Sequence, residues 1–361
     1  MKITEPTLLL NPEKCQANIE RMVLKAKKHN LCFRPHFKTH QSLQIGKWFK
    51  NLGINQITVS SLKMAEYFKD DWDDITVAFP ANIREMETIN RLSAEVHLNL
   101  LAESLETIIQ LGSKATSTLG VLIKIDVGYH RTGVDPNNIS NIDQLIKHIK
   151  QFPNLNFKGF LGHAGHSYSA KTKSEIHAIH HESIRIMQKL KSNYLSDFPN
   201  IYTSLGDTPT CSIMDDFKGV DEIRPGNFVF YDLAQYKIGS CSLEQIAIAM
   251  ACPVVAKHEA RKELVIYGGG VHFSKDVDTM DKTNLPYYGY IANLQNGTWD
   301  ITDKQSYYSK MSQEHGIIQA SDTCFEQYQV GDVIGVLPIH SCMTADLYGT
   351  YQTSSGLIER L

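Results

Sequence analysis

Between residues 31 and 224 short apolar or β-branched runs alternate with amphipathic segments eight times, and few folds accommodate that rhythm. The runs cover 31–36, 56–60, 74–79, 94–100, 120–126, 156–163, 200–204 and 222–224. Strands buried on both faces read as near-continuous apolar stretches, and parallel neighbours need a crossover between them, which the amphipathic segments supply. Eight such units predict an α/β fold of the (β/α)8 TIM-barrel type rather than an open doubly wound sheet. Pro209 and Pro225 make the seventh and eighth units the least regular. From about Ser240 the rhythm changes to short alternating strands over 245–251, 263–267, 287–294, 316–320 and 332–337, punctuated by glycine and asparagine. These predict a C-terminal, mostly antiparallel β domain. We therefore expect a barrel over residues 9–240 and a β domain over 241–361, to which residues 1–8 could add a strand.

Two domains also suit a length of 361 residues, which exceeds an ordinary single core. A net charge of −3, from 36 basic and 39 acidic residues, implies no general attraction to nucleic acid or to a membrane surface. With no leader pattern and no apolar run near eighteen residues, a cytoplasmic location is expected. Seven cysteines without regular spacing argue against a disulfide framework.

The polar residues sharpen the picture. Lys38, Ser60, Asp126, His163, Ser204 and Arg224 stand at or just past the ends of runs, which in a barrel is one shared face and the place where barrel active sites form. Lys38 lies within Cys32-Phe33-Arg34-Pro35-His36-Phe37-Lys38-Thr39-His40, among two histidines and an arginine. A lysine crowded by cations gives up its proton readily and can attack a carbonyl, although a surface lysine in a basic loop reads the same way. After the seventh and eighth runs, Ser204-Leu205-Gly206-Asp207-Thr208 and Arg224-Pro225-Gly226-Asn227 offer small, hydroxylated residues and backbone N–H groups where barrels commonly hold phosphate. No GxGxxG or GxxxxGK[ST] pattern accompanies Gly268-Gly269-Gly270, which reads as a turn. A phosphate cradle sharing a face with a lysine suggests pyridoxal phosphate.

In order and spacing, Pro35-His36-Phe37-Lys38-Thr39-His40, Gly162-His163-Ala164-Gly165-His166-Ser167-Tyr168, Arg224-Pro225-Gly226-Asn227 and Pro338-Ile339-His340-Ser341-Cys342 resemble the D-threonine aldolase and D-serine dehydratase family. Its members are alanine-racemase-like enzymes with a pyridoxal-phosphate barrel and a C-terminal β domain. The resemblance implies that Lys38 is catalytic and holds the cofactor, that Arg131 approaches the ring hydroxyl, and that His163 and Tyr168 lie beside the ring. It also implies that Ser204, Gly206, Thr208, Gly226 and Asn227 hold the phosphate. The loop is poorer in glycine than is usual in the family, and Asp207 puts an acid beside the expected phosphate.

His340 and Cys342 suggest a metal pair, because residues two apart on an extended segment share a face. A buried histidine beside a buried free cysteine would give the same sequence. The resemblance implies a divalent metal at this position. The thiolate favours zinc over manganese, and by the resemblance His-x-Cys goes with the dehydratases, whereas the aldolases more often carry a carboxylate in the second place. The expected reaction is elimination from D-serine to pyruvate and ammonia. The alternatives are cleavage of D-threonine to glycine and acetaldehyde, and amino-acid racemisation. A small D-amino acid is the expected partner, and a homodimer the expected assembly. His177, His180 and His181 read as a solvated helix face.

Overall fold

In a computed structural model, residues 2–280, 284–295, 297–301 and 303–361 are described. They form two compact units, Glu20–Gly226 and the first nineteen residues together with Asn227–Leu361.

In Glu20–Gly226, eight parallel strands run Cys32–Phe33, Gln56–Val59, Asp74–Pro80, His97–Ala102, Leu119–Ile125, Leu155–Gly162, Tyr202–Leu205 and Glu222–Ile223, each next to its successor from the second onward. The first strand pairs with the last, Cys32 with Glu222 and Phe33 with Ile223. Its other side meets the second strand through a single bridge, His36 to Thr58, where Thr58 N–H donates to Pro35 O at 2.9 Å and Phe37 N–H to Thr58 O at 2.8 Å. The expected (β/α)8 barrel is therefore present, with a sparse closing seam beside Lys38. Proline costs it little. Pro209 opens the helix Thr208–Ile213, where a missing N–H is harmless, and Pro225 follows the last strand, its carbonyl accepting from His36 N–H at 2.9 Å.

Helices follow the strands because each stretch carries a start signal. Ser61, Ser104, Asn138 and Thr172 accept N-terminal amide hydrogens of Leu62–Phe68, Leu105–Lys114, Ile139–Gln151 and Lys173–Tyr194. One layer of the barrel interior is apolar, with Leu101, Leu122 and Leu161 packed against Ala78 and Tyr202. Another is ionic. Arg34 donates to Glu222 at 2.7 Å and to both carboxylate oxygens of Asp74 at 2.8 and 3.1 Å, and Asn99 donates to Asp74 at 2.8 Å.

The other unit is built on six antiparallel strands joined in a ring. Ile248–His258, Glu263–Tyr267, His315–Gln319, Tyr307–Met311, Gly289–Gln295 and Val333–Pro338 pair in that order, and the last returns to the first. Ile248–His258 serves two neighbours on one edge because a bulge at Val254 to Ala256 redirects it. Before the bulge, that edge takes Thr7–Leu10 in antiparallel register, Leu10 opposite Ile248 and Thr7 opposite Ala251. Thr350–Thr353 lies parallel to Thr7–Leu10 and forms a hairpin with Gly356–Glu359. The strand content is mostly antiparallel, as the alternation predicts. Among the described residues no helix is long and apolar enough to cross a membrane.

Candidate active site

Each barrel strand that bears a candidate residue ends at the same face, and the packing beneath explains their directions. Phe37 is fully buried against Phe49, Phe68 and Trp72, with ring centroids 5.0 to 5.2 Å apart. This anchor turns the next residue, Lys38, outward, so its side chain is exposed at the strand end. Lys38 N–H points at His36 Nδ1 at 3.4 Å, and the Gln41 amide donates to Lys38 O at 3.0 Å.

The neighbours of Lys38 form a cationic bowl. Burial, then Lys38 and Arg224, hold the His36 imidazole well below its ordinary pKa. His163 is lowered to about 3, first by burial and then by Arg131, Lys124 and Lys38, against a raising hydrogen bond to Gly206. It is therefore neutral. Its Nδ1–H donates to Gly206 O at 2.5 Å, which leaves Nε2 as an acceptor. Burial lowers Lys124 to about 8, helped by Arg224 and Arg131, while its ammonium donates to Ile125 O at 3.0 Å. Arg224, brought down to about 10 by burial despite Glu222, donates to Gly162 O at 2.6 Å and to Ser204 Oγ.

The candidates line up through aromatic contacts. The Arg131 guanidinium lies 5.0 Å over the Tyr129 ring, Tyr129 meets His163 edge-on at 5.8 Å, and His163 is 6.4 Å from Tyr168. Tyr168 Oη accepts the backbone N–H of Thr208 at 3.1 Å. Two glycines allow the loops to close up. A Cβ on Gly206 would stand 2.8 Å from Arg224 Cβ and 3.0 Å from its Cα, and one on Gly226 would stand 2.9 Å from His36 O. Lys38, Arg131, His163, Tyr168, Gly206, Thr208 and Gly226 thus share the strand-end face. Ser204 points into the barrel, where its hydroxyl donates to Glu222 and accepts from Arg224. Asp207 turns away from the loop it was expected to burden. It caps Thr208–Ile213 through Thr210 N–H at 2.7 Å and takes hydrogen bonds from Thr210 and Ser167 hydroxyls at 2.7 and 2.8 Å.

The residues fit pyridoxal phosphate on the chemistry of the donor set. Lys38, Lys124, Arg131 and Arg224 crowd one strand-end region and depress the titrating groups among them, and a dianionic phosphate would relieve that repulsion. Lys38 presents the one exposed primary amine of this set.

The second candidate cluster belongs to the other unit. The strand Val333–Pro338 stops before His340, and His340 is the N-cap of the short helix Ser341–Ala345. His340 and Cys342 therefore meet across a helix start rather than along one face of an extended strand. Burial alone would lower His340, yet the Cys342 side chain, Asp232 and Asp276 outweigh it and push it up to about 10. Its Nδ1 pairs with Asp276 at 2.7 Å, the arrangement that fixes the tautomer of a metal-binding histidine and leaves Nε2 for the ion. Asn227 is here too: its amide nitrogen donates to Asp232 at 2.6 Å, to Ser341 Oγ at 3.0 Å and to Cys342 Sγ at 3.5 Å. No group of three His, Cys, Asp or Glu side chains among the described residues is arranged to hold an ion. His340 and Cys342 fit as two ligands, which would leave the ion's other positions open to water and substrate.

Lys124, Asp232 and Asp276 escaped sequence reasoning as functional groups. Lys124 had a visible signal, a lone charge inside the apolar run Leu119–Ile125. Asp276 had none, since 64 residues separate it from His340.

Comparison with known proteins follows the same division. The model of the alanine racemase N-terminal domain matches residues 10–233, and that of the putative serine dehydratase domain matches residues 247–354. D-serine dehydratase of Dictyostelium discoideum is 30% identical over 97% of this chain and 93% of its own length. D-threonine aldolase of Arthrobacter sp. is 23% identical over 64% of this chain and 62% of its own. The structure of D-threo-3-hydroxyaspartate dehydratase from Delftia sp. HT23 superposes with a TM-score of 0.91 at 25% identity, covering 100% of this chain and 98% of that one. Two of that enzyme's variants have been solved, a cysteine-to-alanine form that is metal-free and a histidine-to-alanine form, and their altered residues stand two positions apart.

Proposed function

We propose that this chain, which belongs to the D-serine dehydratase family of alanine-racemase-like enzymes, eliminates water from D-serine and releases pyruvate and ammonia. It is a pyridoxal-phosphate-dependent lyase. Identity of 30% to a D-serine dehydratase over 97% of this chain supports the choice, against 23% to a D-threonine aldolase.

In this reading Lys38 holds the cofactor through its amine, the residue best presented for it. Thr208 and the Gly206 and Gly226 loops hold the phosphate, with Ser204 steadying Arg224 from behind. Arg131, poised on Tyr129, would meet the ring hydroxyl, and neutral His163 would lie beside the ring without adding charge. When bound, the cofactor supplies an electron sink for charge developing at Cα. Lys38, with its amine free, would be placed to take the Cα proton. His340 and Cys342 hold a divalent ion, zinc in this proposal, whose chemistry would be to polarise the β-hydroxyl as it leaves. Loss of the hydroxyl yields an enamine whose hydrolysis gives the 2-oxo acid and ammonia.

The test is turnover of D-serine and D-threonine by purified protein, before and after chelation. Pyruvate and ammonia from D-serine, lost on chelation and restored by zinc, are expected. Glycine and acetaldehyde from D-threonine as the main products would move the assignment to the aldolase, and chelator-insensitive racemisation would remove the lyase assignment. Lys38→Ala is expected to lose both turnover and the visible absorption of bound cofactor.

A further inference from the structure

Asn227 carries an anomaly that its hydrogen bonds make unambiguous. The residue is 5% exposed, and its Oδ1 is buried with no hydrogen-bond partner. An amide is often open to a flip that would exchange oxygen and nitrogen, but here the atom 2.6 Å from Asp232 must be the donor, because an ionised carboxylate only accepts. The same nitrogen also faces Ser341 Oγ and Cys342 Sγ. Asp232 is itself locked, accepting Gln235 N–H at 2.9 Å, Ser341 N–H at 2.9 Å and Ser341 Oγ–H at 3.0 Å. The orientation of the amide is therefore fixed, and the lone oxygen is its consequence.

A buried acceptor without a partner calls for an explanation, commonly a water or ion at that spot. The location supplies one. An amide holds its oxygen about 2.3 Å from its nitrogen, so Oδ1 lies within about 6 Å of the Cys342 sulfur. A two-ligand ion on His340 and Cys342 keeps water in its open positions, and a metal-bound water is a strengthened hydrogen-bond donor.

We propose that Asn227 Oδ1 accepts a hydrogen bond from a water bound to the ion held by His340 and Cys342. Asn227 thereby acts on both sides of the ion, its N–H steadying the thiolate and its carbonyl holding the water. This assigns the side chain to the metal centre instead of the phosphate, and it rests on His340 and Cys342 being metal ligands.

The experiment measures zinc affinity by chelator competition in the full chain, for wild type, Asn227→Ala, Asn227→Ser and Ser341→Ala, with melting of the metal-free proteins as the check on folding. Asn227→Ser retains a donor towards Asp232 but no amide carbonyl, so it remains informative where alanine misfolds. Outer groups of this kind alter metal affinity about 10–100-fold. That loss is expected for both Asn227 variants, together with a changed visible spectrum of the cobalt-substituted protein. Ser341→Ala, which leaves the carbonyl untouched, is expected to keep wild-type affinity and spectrum. Wild-type affinity and an unchanged cobalt spectrum in the Asn227 variants would overturn the proposal while leaving the metal site standing. Wild-type protein that binds neither zinc nor manganese would overturn both.

Discussion

Glu222→Ala tests how the barrel interior is held. Glu222 is 2% exposed and Arg34, its partner at 2.7 Å, is 6% exposed; the same carboxylate accepts from Ser204, which accepts from Arg224. Removing the acid leaves two buried guanidiniums with less compensation, and stripping one partner from a buried pair costs about 3–5 kcal/mol. Arg34 keeps Asp74, so the lower end applies. At about 3 °C per kcal/mol for a unit of this size, the Tm of cofactor-free protein should drop by about 9 °C. Asp74→Ala is the comparison. The Asp74 side chain is 39% exposed, so its pairing with the same arginine is screened by water and worth about 1 kcal/mol. Scanning calorimetry on both variants decides the matter. A Glu222 variant that melts no lower than the Asp74 variant would refute the idea that burial sets the strength of this network.

Two further outcomes concern the strand-end face. His36 and His163 are held below the ordinary histidine range in the fold, His163 at about 3, so the unfolded chain binds protons that the folded one refuses. Stability is then complete above about pH 6.5 and is lost as pH falls towards 3. Urea unfolding across that window should show the loss, with a shallower slope in His163→Asn, and an unchanged slope would contradict the assigned protonation. Gly226→Ala forces a Cβ to within 2.9 Å of the His36 carbonyl oxygen, a backbone atom that cannot swing aside. Overpacking of that kind costs about 1–3 kcal/mol, so pyridoxal phosphate should bind about 10–100-fold more weakly in equilibrium dialysis; wild-type binding would show that the loop shifts freely.

The barrel strands were legible because burial on both faces leaves an apolar run that nothing else in the chain imitates. The β unit was less legible. Tyr307–Met311 carries serine and lysine, and its alternation is broken by a bulge between Tyr308 and Lys310, so its pattern never reads as period two. Thr350–Thr353 and Gly356–Glu359 are short and polar, and their pairing depends on Thr7–Leu10 at the far end of the sequence. At the site, Lys38 was visible from its neighbours, and His340 with Cys342 from their spacing, though the geometry that joins them is a helix cap. The three histidines of Lys173–Tyr194 divide. His177 and His181 are exposed as expected, but His180 is buried against Phe217 with Nε2 2.5 Å from Asp216 O, a partner on a distant loop that no local pattern announces. Asp232 and Asp276 stayed hidden for the same reason, since carboxylates that act across the fold look like any others in sequence.

The pairing of Thr7–Leu10 has a consequence in time. The ribosome delivers this Thr-Leu-Leu-Leu strand well before its partner: Ile248, opposite Leu10, emerges roughly 240 residues later, a delay of roughly 10–50 s at ordinary elongation speeds. Throughout that interval three consecutive leucines have no native mate and form a short aggregation hazard on a nascent chain. Moving Thr7–Leu10 to the far terminus, behind a flexible joint, would let the strand appear together with its neighbours, and the yield of soluble protein would report how much the wait costs the cell.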